Sequence, residues 1–192
     1  MSPIAPIAGI VLAAGGGRRF GGPKAVVAVG GERLVDRAVR VLREGGCAPV
    51  VVVLGAVDTD VPAADAVVLN ARWAEGMATS LVAGLAEPAL AGAAAAVVVL
   101  ADQPWLSPAA VRAVAARGGA SALVTATYDG ERGHPVLLGR DHWAGVAALA
   151  GGEVGARAYL AAHPEQVVEV PCEGSARDVD TPGDLPDPGS ST

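Results

Sequence analysis

The chain has 192 residues, 52% of them hydrophobic and 3% aromatic, with a formal net charge of −6. That length fits one domain with a full core, and the acidic balance (pI near 5.0) argues against a nucleic-acid-binding surface. Cys47 and Cys172 have no paired-ligand spacing, so they form no zinc site and no disulfide framework is expected. The N-terminus lacks a charged n-region and a cleavage site, and the apolar run Ala89–Ala101 is too short to span a bilayer. The expectation is a cytoplasmic protein without membrane or nucleic-acid partners.

Ile7–Ala13 reads as a buried first strand. It runs into L-A-A-G-G-G-R-R-F-G-G-P-K, Leu12 to Lys24, which packs five glycines, Arg18, Arg19 and Lys24 into a dozen residues. Glycine permits positive φ and close backbone approach to a ligand. Free N–H groups in such a turn make an anion site. The competing reading is a plain glycine-rich connection, which three cations in an acidic protein disfavour. Neither common phosphate loop is present: Ala25 stands after Lys24 where G-x-x-x-x-G-K-[ST] needs a hydroxyl, and Phe20 occupies the third glycine position of G-x-G-x-x-G.

Glu32–Glu44 is predicted as an amphipathic helix ended by Gly45-Gly46. Val50–Leu54 and Ala66–Leu69 read as strands. Asn70-x-x-Trp73-x-x-Gly76-Met77-x-x-Ser80-Leu81 is then a loop entering a helix over Met77–Ala86. Asn70 carries a donor and an acceptor suited to a base or ribose; the alternative is ordinary capping, with Trp73 as packing. Val97–Ala101 is a strand ending in Asp102-Gln103-Pro104. A carboxylate there suits a metal ion bridging to phosphates, or a loop cap. Pro108–Arg117 is a helix with Ser107 as N-cap. Leu123–Ala126 is a strand, and Gly133-His134-Pro135-Val136 a turn before a short strand. Two helices, Arg140–Leu149 and Val154–Ala162, flank a second glycine turn from Gly151. Val167–Val170 is a late strand. In an extended Asp178-Val179-Asp180, both carboxylates point to one side and Val179 to the core; Asp180 or Thr181 could also cap a short helix at Pro182–Leu185. The Pro/Gly/Ser-rich stretch 186–192 reads as a disordered tail after a single domain, 1–185.

Apolar strands alternating with amphipathic helices predict an α/β fold, three layers with a mostly parallel sheet. Ligands bind beyond the carboxyl ends of such strands. If the strands are parallel, the glycine loop, Asn70 and Asp102 fall on one edge.

From Ile10 to Leu185 these segments resemble the MobA-like nucleotidyltransferases, most closely the molybdenum cofactor cytidylyltransferase branch. The resemblance rests on Leu12–Lys24, Asn70–Leu81, Asp102–Pro104, Gly133–Pro135 and Asp178–Pro182, in that order. It implies a Rossmann-like nucleotidyltransferase fold and transfer of CMP from CTP to a molybdopterin-type acceptor, with release of pyrophosphate. Leu12, Ala13, Ala14, Gly15, Gly16, Gly17, Arg18, Arg19 and Lys24 would hold the nucleotide, with Asn70, Gly76 and Ser80 bordering the nucleoside. Arg19, Lys24 and Asp102 would be catalytic. Asp102 and Asp180 would hold Mg2+, supported by Asp178. Gln103, His134, Pro135, Gly155 and Arg157 would meet the acceptor. Ala14 and Asp180 resemble the CTP-using branch. Glu153 and Gly183 depart from the family pattern, at positions where Asp and an acidic residue are usual. The alternatives are GTP as donor, a sugar-phosphate acceptor, or a non-catalytic carrier that hands the cofactor to a molybdoenzyme client.

Overall fold

The computed structural model describes residues 5–152 and 154–185. Glu153 and the tail 186–192, on which two expectations fall, lie outside the described residues. The strands are β1 (Ile7–Leu12), β2 (Ala28–Val29), β3 (Glu32–Arg33), β4 (Val50–Leu54), β5 (Ala66–Leu69), β6 (Ala95–Leu100), β7 (Leu123–Tyr128), β8 (Glu131–Gly139) and β9 (Val167–Pro171). The α-helices are α1 (Leu34–Glu44), α2 (Met77–Leu85), α3 (Pro108–Ala115), α4 (Trp143–Leu149) and α5 (Arg157–Ala162).

The main sheet has the order β5-β4-β1-β6-β8-β7-β9. β1, β4, β5 and β6 run parallel, and β9 runs parallel to β7. Only β8 opposes its neighbours. The central strands are continuous Val, Ala and Leu because both faces are covered; β4 is buried at every position. One face packs Val35, Val39 and Leu42 of α1 and Val111 and Val114 of α3 against Val11, Val52 and Val97. The other packs Leu81 and Leu85 of α2, Val146 of α4 and Leu160 of α5 against Ile10, Val53 and Val98. Each such side chain, fully buried, contributes roughly 1.5–3 kcal/mol. This is the expected three-layer α/β/α architecture with a mostly parallel sheet.

Three local expectations are corrected. The first helix starts at Leu34, because Glu32–Arg33 pairs with Ala28–Val29 in a hairpin turned by Gly30 and Gly31, both at positive φ. A 3-10 turn, Arg140–His142, precedes α4, and α5 begins only at Arg157. Gly133–Val136 is not a turn: it lies inside β8, and the reversal is made by Asp129-Gly130 at φ 52° and 86°. Pro135 cannot donate to a ladder. The pairing accommodates it by a register slip, Thr125 facing Val136 while Ala126 faces Gly133.

Candidate active site

The parallel strands deliver the expected segments to one sheet edge. The glycine loop leaves β1, Asn70 follows β5 and Asp102 follows β6. The loop root is tied into the sheet: Ala13 N donates to Val53 O (2.9 Å), and Ala101 N to Leu12 O (3.1 Å). Beyond it the chain makes a tight turn. Gly17 sits at φ +58°, and its carbonyl accepts from the N–H groups of Phe20, Gly21 and Gly22 at 2.9, 2.9 and 3.2 Å. A Cβ at Gly17 would lie 1.9 Å from Gly22 O, so only glycine fits.

The turn aims Lys24 back across the edge. Its Nζ pairs with Asp102 Oδ2, donates to Val179 O at 2.8 Å and lies 3.9 Å from Asp180 Oδ1. Arg19 pairs with Asp180 Oδ2 at 3.1 Å. Asp102 comes from the middle of the sheet, whereas Asp180 comes from a segment that follows β9. That segment is extended, and Val179 is wholly buried while its N–H donates to Asp102 O at 2.9 Å. The short 3-10 helix Pro182–Asp184 is capped by Asp184, whose Oδ2 accepts from the N–H and hydroxyl of Thr181, both at 2.8 Å. The Asp180 carboxylate is thus left to the two cations. Asp184 stands one residue after the position where Gly183 departs from the family pattern.

Gln103 is turned inward. It is only 7% exposed, and its Nε2 donates to Ala176 O (2.8 Å) and Asp178 Oδ1 (2.7 Å). Through Nε2 it ties the late segment to the Asp102 turn, while its Oε1 is buried without a partner. Partial burial, opposed by the Gln103 bond, raises the Asp178 carboxyl above the usual range. Among the described residues, no group of three or more His, Cys, Asp or Glu is gathered to hold a metal ion. Asp178 belongs to Gln103, while Asp102 and Asp180 face cations.

Between these segments opens a cleft of about 370 Å3, lined by Leu12, Ala13, Ala14, Gly15, Gly16 and Arg18 of the loop, with Lys24, Ser80, Asp102 and Asp178. Its volume lies in the range of small-molecule sites. Trp73, expected as packing only in the capping alternative, does pack on the loop, and its indole also lines this cleft. A Cβ at Gly16 would come within 3.0 Å of its ring, and one at Gly55 within 2.5 Å of its Cβ. Leu100, Ala101 and Met77 were also missed as lining residues. The first two are legible as the end of a parallel strand. Arg37 of α1 was missed too: its Nε donates to Pro104 O at 2.7 Å and steadies the Asp102 turn. Nothing in the polar face of that helix singles it out.

Asn70 and Gly76 do not border the cleft. Asn70 is 8% exposed; its Nδ2 donates to Thr79 and Ser80 hydroxyls at 2.9 and 3.0 Å, and its Oδ1 accepts from Arg72 N at 2.9 Å. It joins the loop to α2 and, through that bond, sets the Ser80 hydroxyl that lines the cleft. Gly76, at φ +117°, closes on the second glycine turn, where a Cβ would meet Gly152 O at 2.3 Å. The same Gly152 carbonyl accepts from Ala78 N at 3.0 Å, so this helix start is capped by protein rather than by an anion. Gly155 is buried against Met77.

His134 reaches this edge for a reason the strand-end rule does not supply. β8 is antiparallel, so its beginning, not its end, lies here. Burial first, then the charge of Arg157, pushes the imidazole down to about 4. His134 is therefore neutral at pH 7. Its neighbour Pro135 is buried, and Arg157 is exposed at the start of α5.

A glycine loop with paired cations, a carboxylate at the end of the adjacent strand and a second carboxylate brought over the cleft, on a mostly parallel α/β sheet, define a nucleotidyltransferase. Residues 9–167 match the MobA-like NTP transferase domain, and the chain belongs to that family. It is 34% identical over 191 residues to nicotine blue oxidoreductase of Paenarthrobacter nicotinovorans, covering 91% of this chain and 92% of the relative. Over 47 residues, 24% of this chain and 23% of the relative, it is 55% identical to a probable molybdenum cofactor guanylyltransferase of Opitutus terrae. Among solved structures it resembles Rv0371c of Mycobacterium tuberculosis, with 28% identity, a TM-score of 0.77 and coverage of 92% and 94% of the two chains. The complex of Rv0371c with manganese matches at 27% identity and a TM-score of 0.73, covering 93% and 95%. Among the described residues, no helix is long and apolar enough to cross a membrane.

Proposed function

We propose that this nucleotidyltransferase transfers CMP from CTP to the terminal phosphate of a molybdopterin-type acceptor and releases pyrophosphate. One observation carries the reading: Lys24 and Arg19 of the glycine loop converge on Asp102 and Asp180, which come from two distant parts of the chain. The acceptor phosphate attacks the α-phosphorus in line, so the protein's work is positioning and charge stabilisation. The backbone of Gly15–Gly17, with Arg18 and Arg19, holds the triphosphate. Lys24 meets the charge that develops on the departing pyrophosphate. Ala14 and Ser80 face the nucleoside, and the small methyl of Ala14 favours cytosine. His134 and Arg157 stand toward the acceptor, Arg157 offering a cation to its phosphate.

Asp102 and Asp180 supply hard oxygen donors of the kind Mg2+ takes alongside phosphate oxygens and water. Asp102 and Asp180 would hold the ion, with Asp178 in support; a related structure, Rv0371c, is a complex with manganese. When bound, the ion neutralises phosphate charge.

The test is pyrophosphate release with CTP, GTP, UTP and ATP, each with Mg2+ and molybdenum cofactor. CTP alone, or strongly preferred, is the expected result. Turnover with GTP alone would move the assignment to the guanylyl reaction named for the Opitutus terrae relative. The name of the Paenarthrobacter nicotinovorans relative favours a second reading, a redox reaction in the same cleft. Oxidation of a reduced nicotinamide donor without pyrophosphate release would select it.

A further inference from the structure

The two carboxylates assigned to the metal are already paired. Lys24 holds Asp102 and approaches Asp180, and Arg19 holds Asp180. Two cations and two anions sum to zero. Both cations belong to the loop assigned to the triphosphate. Arg18, beside them, lines the cleft and makes no ion pair among the described residues. The pairing is therefore selective: two of the three loop cations cross to the carboxylates, while the third faces the cleft alone.

Resting on the transferase reading above, we propose that Lys24 and Arg19 are resident counter-cations that make metal binding conditional on the nucleotide. A divalent ion arriving alone must take carboxylates from their partners. That strands two positive charges beside its own, one of them on a lysine side chain only 17% exposed. A triphosphate arriving alone takes the cations and strands two carboxylates beside its own negative charge. Arriving together, the two ligands repair what each would break. The carboxylates pass to the ion, and the ammonium and guanidinium pass to phosphate oxygens. No covalent bond changes; four charges exchange partners. Because such coupling is reciprocal, the nucleotide tightens the metal by the same factor as the metal tightens the nucleotide. The site thereby resists loading with a bare cation.

This role differs from a purely catalytic one in sign. A lysine that only assists turnover leaves metal affinity untouched when removed, whereas a counter-cation raises it. The experiment is a titration of Mn2+ alone, followed by loss of the free-ion electron paramagnetic resonance signal, in wild type, Lys24→Met and Arg19→Gln. Each titration is repeated with saturating α,β-methylene CTP, and the Mn2+ bound by the analogue in a protein-free blank is subtracted. In wild type the analogue should tighten Mn2+ by about 5- to 150-fold, the usual span of coupling between sites. Without nucleotide, Lys24→Met should bind Mn2+ at least about fivefold more tightly than wild type, and its coupling should be smaller than wild type's by the same factor. Arg19→Gln should move the same way to a smaller extent. Arg19 is 76% exposed, so this variant keeps the test decisive if Lys24→Met fails to fold. Independent binding of Mn2+ and analogue in wild type would overturn the proposal. So would a variant that binds bare Mn2+ no more tightly than wild type. Either result, with pyrophosphate release intact in wild type, removes this inference and leaves the transferase reading. Absence of pyrophosphate release from any NTP removes both.

Discussion

Gly17→Ala isolates the turn that aims Lys24. An L-residue in the left-handed region costs about 1–2 kcal/mol. The added methyl would also lie 1.9 Å from Gly22 O, a distance no relaxation of side chains relieves. The turn must open, weakening some of the three N–H bonds to the Gly17 carbonyl; each is worth roughly 0.5–1.5 kcal/mol. The sum is about 2–3 kcal/mol, or roughly 30- to 150-fold in affinity. Gly15, Arg18 and Arg19 are exposed, so the loop can relax locally and the sheet keeps its packing. The penalty should therefore appear in ligand binding rather than in unfolding. Calorimetric titration with CTP and Mg2+ should show a Kd raised by roughly that factor, with Tm within about 4 °C of wild type. Gly21→Ala is the control. It also sits at positive φ, +97°, but a Cβ there meets nothing within 4 Å. It bears the backbone strain alone and should lose roughly 5- to 30-fold, less than Gly17→Ala in the same titration. A Gly17→Ala Kd within threefold of wild type would refute the idea that this turn is held by sterics.

Three further outcomes are expected. His134 is held neutral in the fold and has a depressed pKa of about 4 against 6.5. Its contribution to stability is therefore complete above pH 6.5 and is lost as pH falls toward 4, by roughly 3 kcal/mol at most. His134→Gln should flatten the stability profile across that window, and an unchanged slope in urea unfolding would contradict the burial argument. Gln103→Leu removes two hydrogen bonds to the late segment; amide exchange at residues 176–180 should quicken by an amount equivalent to about 1–3 kcal/mol, while exchange in β1 and β4 stays as in wild type. Gly76→Ala forces an alanine into a glycine-only conformation against Gly152 O and should lower Tm by about 4–8 °C, for a strain near 2 kcal/mol. An unchanged melting curve would show that the two glycine turns are not closed on each other.

The layers of this fold follow from the Val-rich runs because continuous apolar strands require cover on both faces. The edge that carries the site follows from parallel pairing. What escaped the sequence reading is where pairing changes direction. Pro135 disguises β8, since proline argues against a strand interior; a two-residue slip beside Thr125 absorbs it. Polar residues were harder than apolar ones. Asn70 and Gln103 carry groups suited to a ligand, yet both direct them at their own chain. An amide at a strand end can do either, and only the distance to its neighbours decides. Asp178 and Asp180, by contrast, were separable from Val179 because an extended chain alternates sides, and Val179 is indeed fully buried.

The order of the strands has a consequence for synthesis. All seven strands of the main sheet have been made once Pro171 is translated, and both helical layers are complete before it. Asp180 arrives nine residues later, on a segment that doubles back from the sheet margin, past β7 and β8, to reach the end of β6. The strands and helices can thus be in place before Val179 and Asp180 dock, with Asp102 and Lys24 paired to each other. Losing this late segment would take Val179 out of the core and Asp180 away from both cations at once, so it couples packing to the charge pairing of the glycine loop.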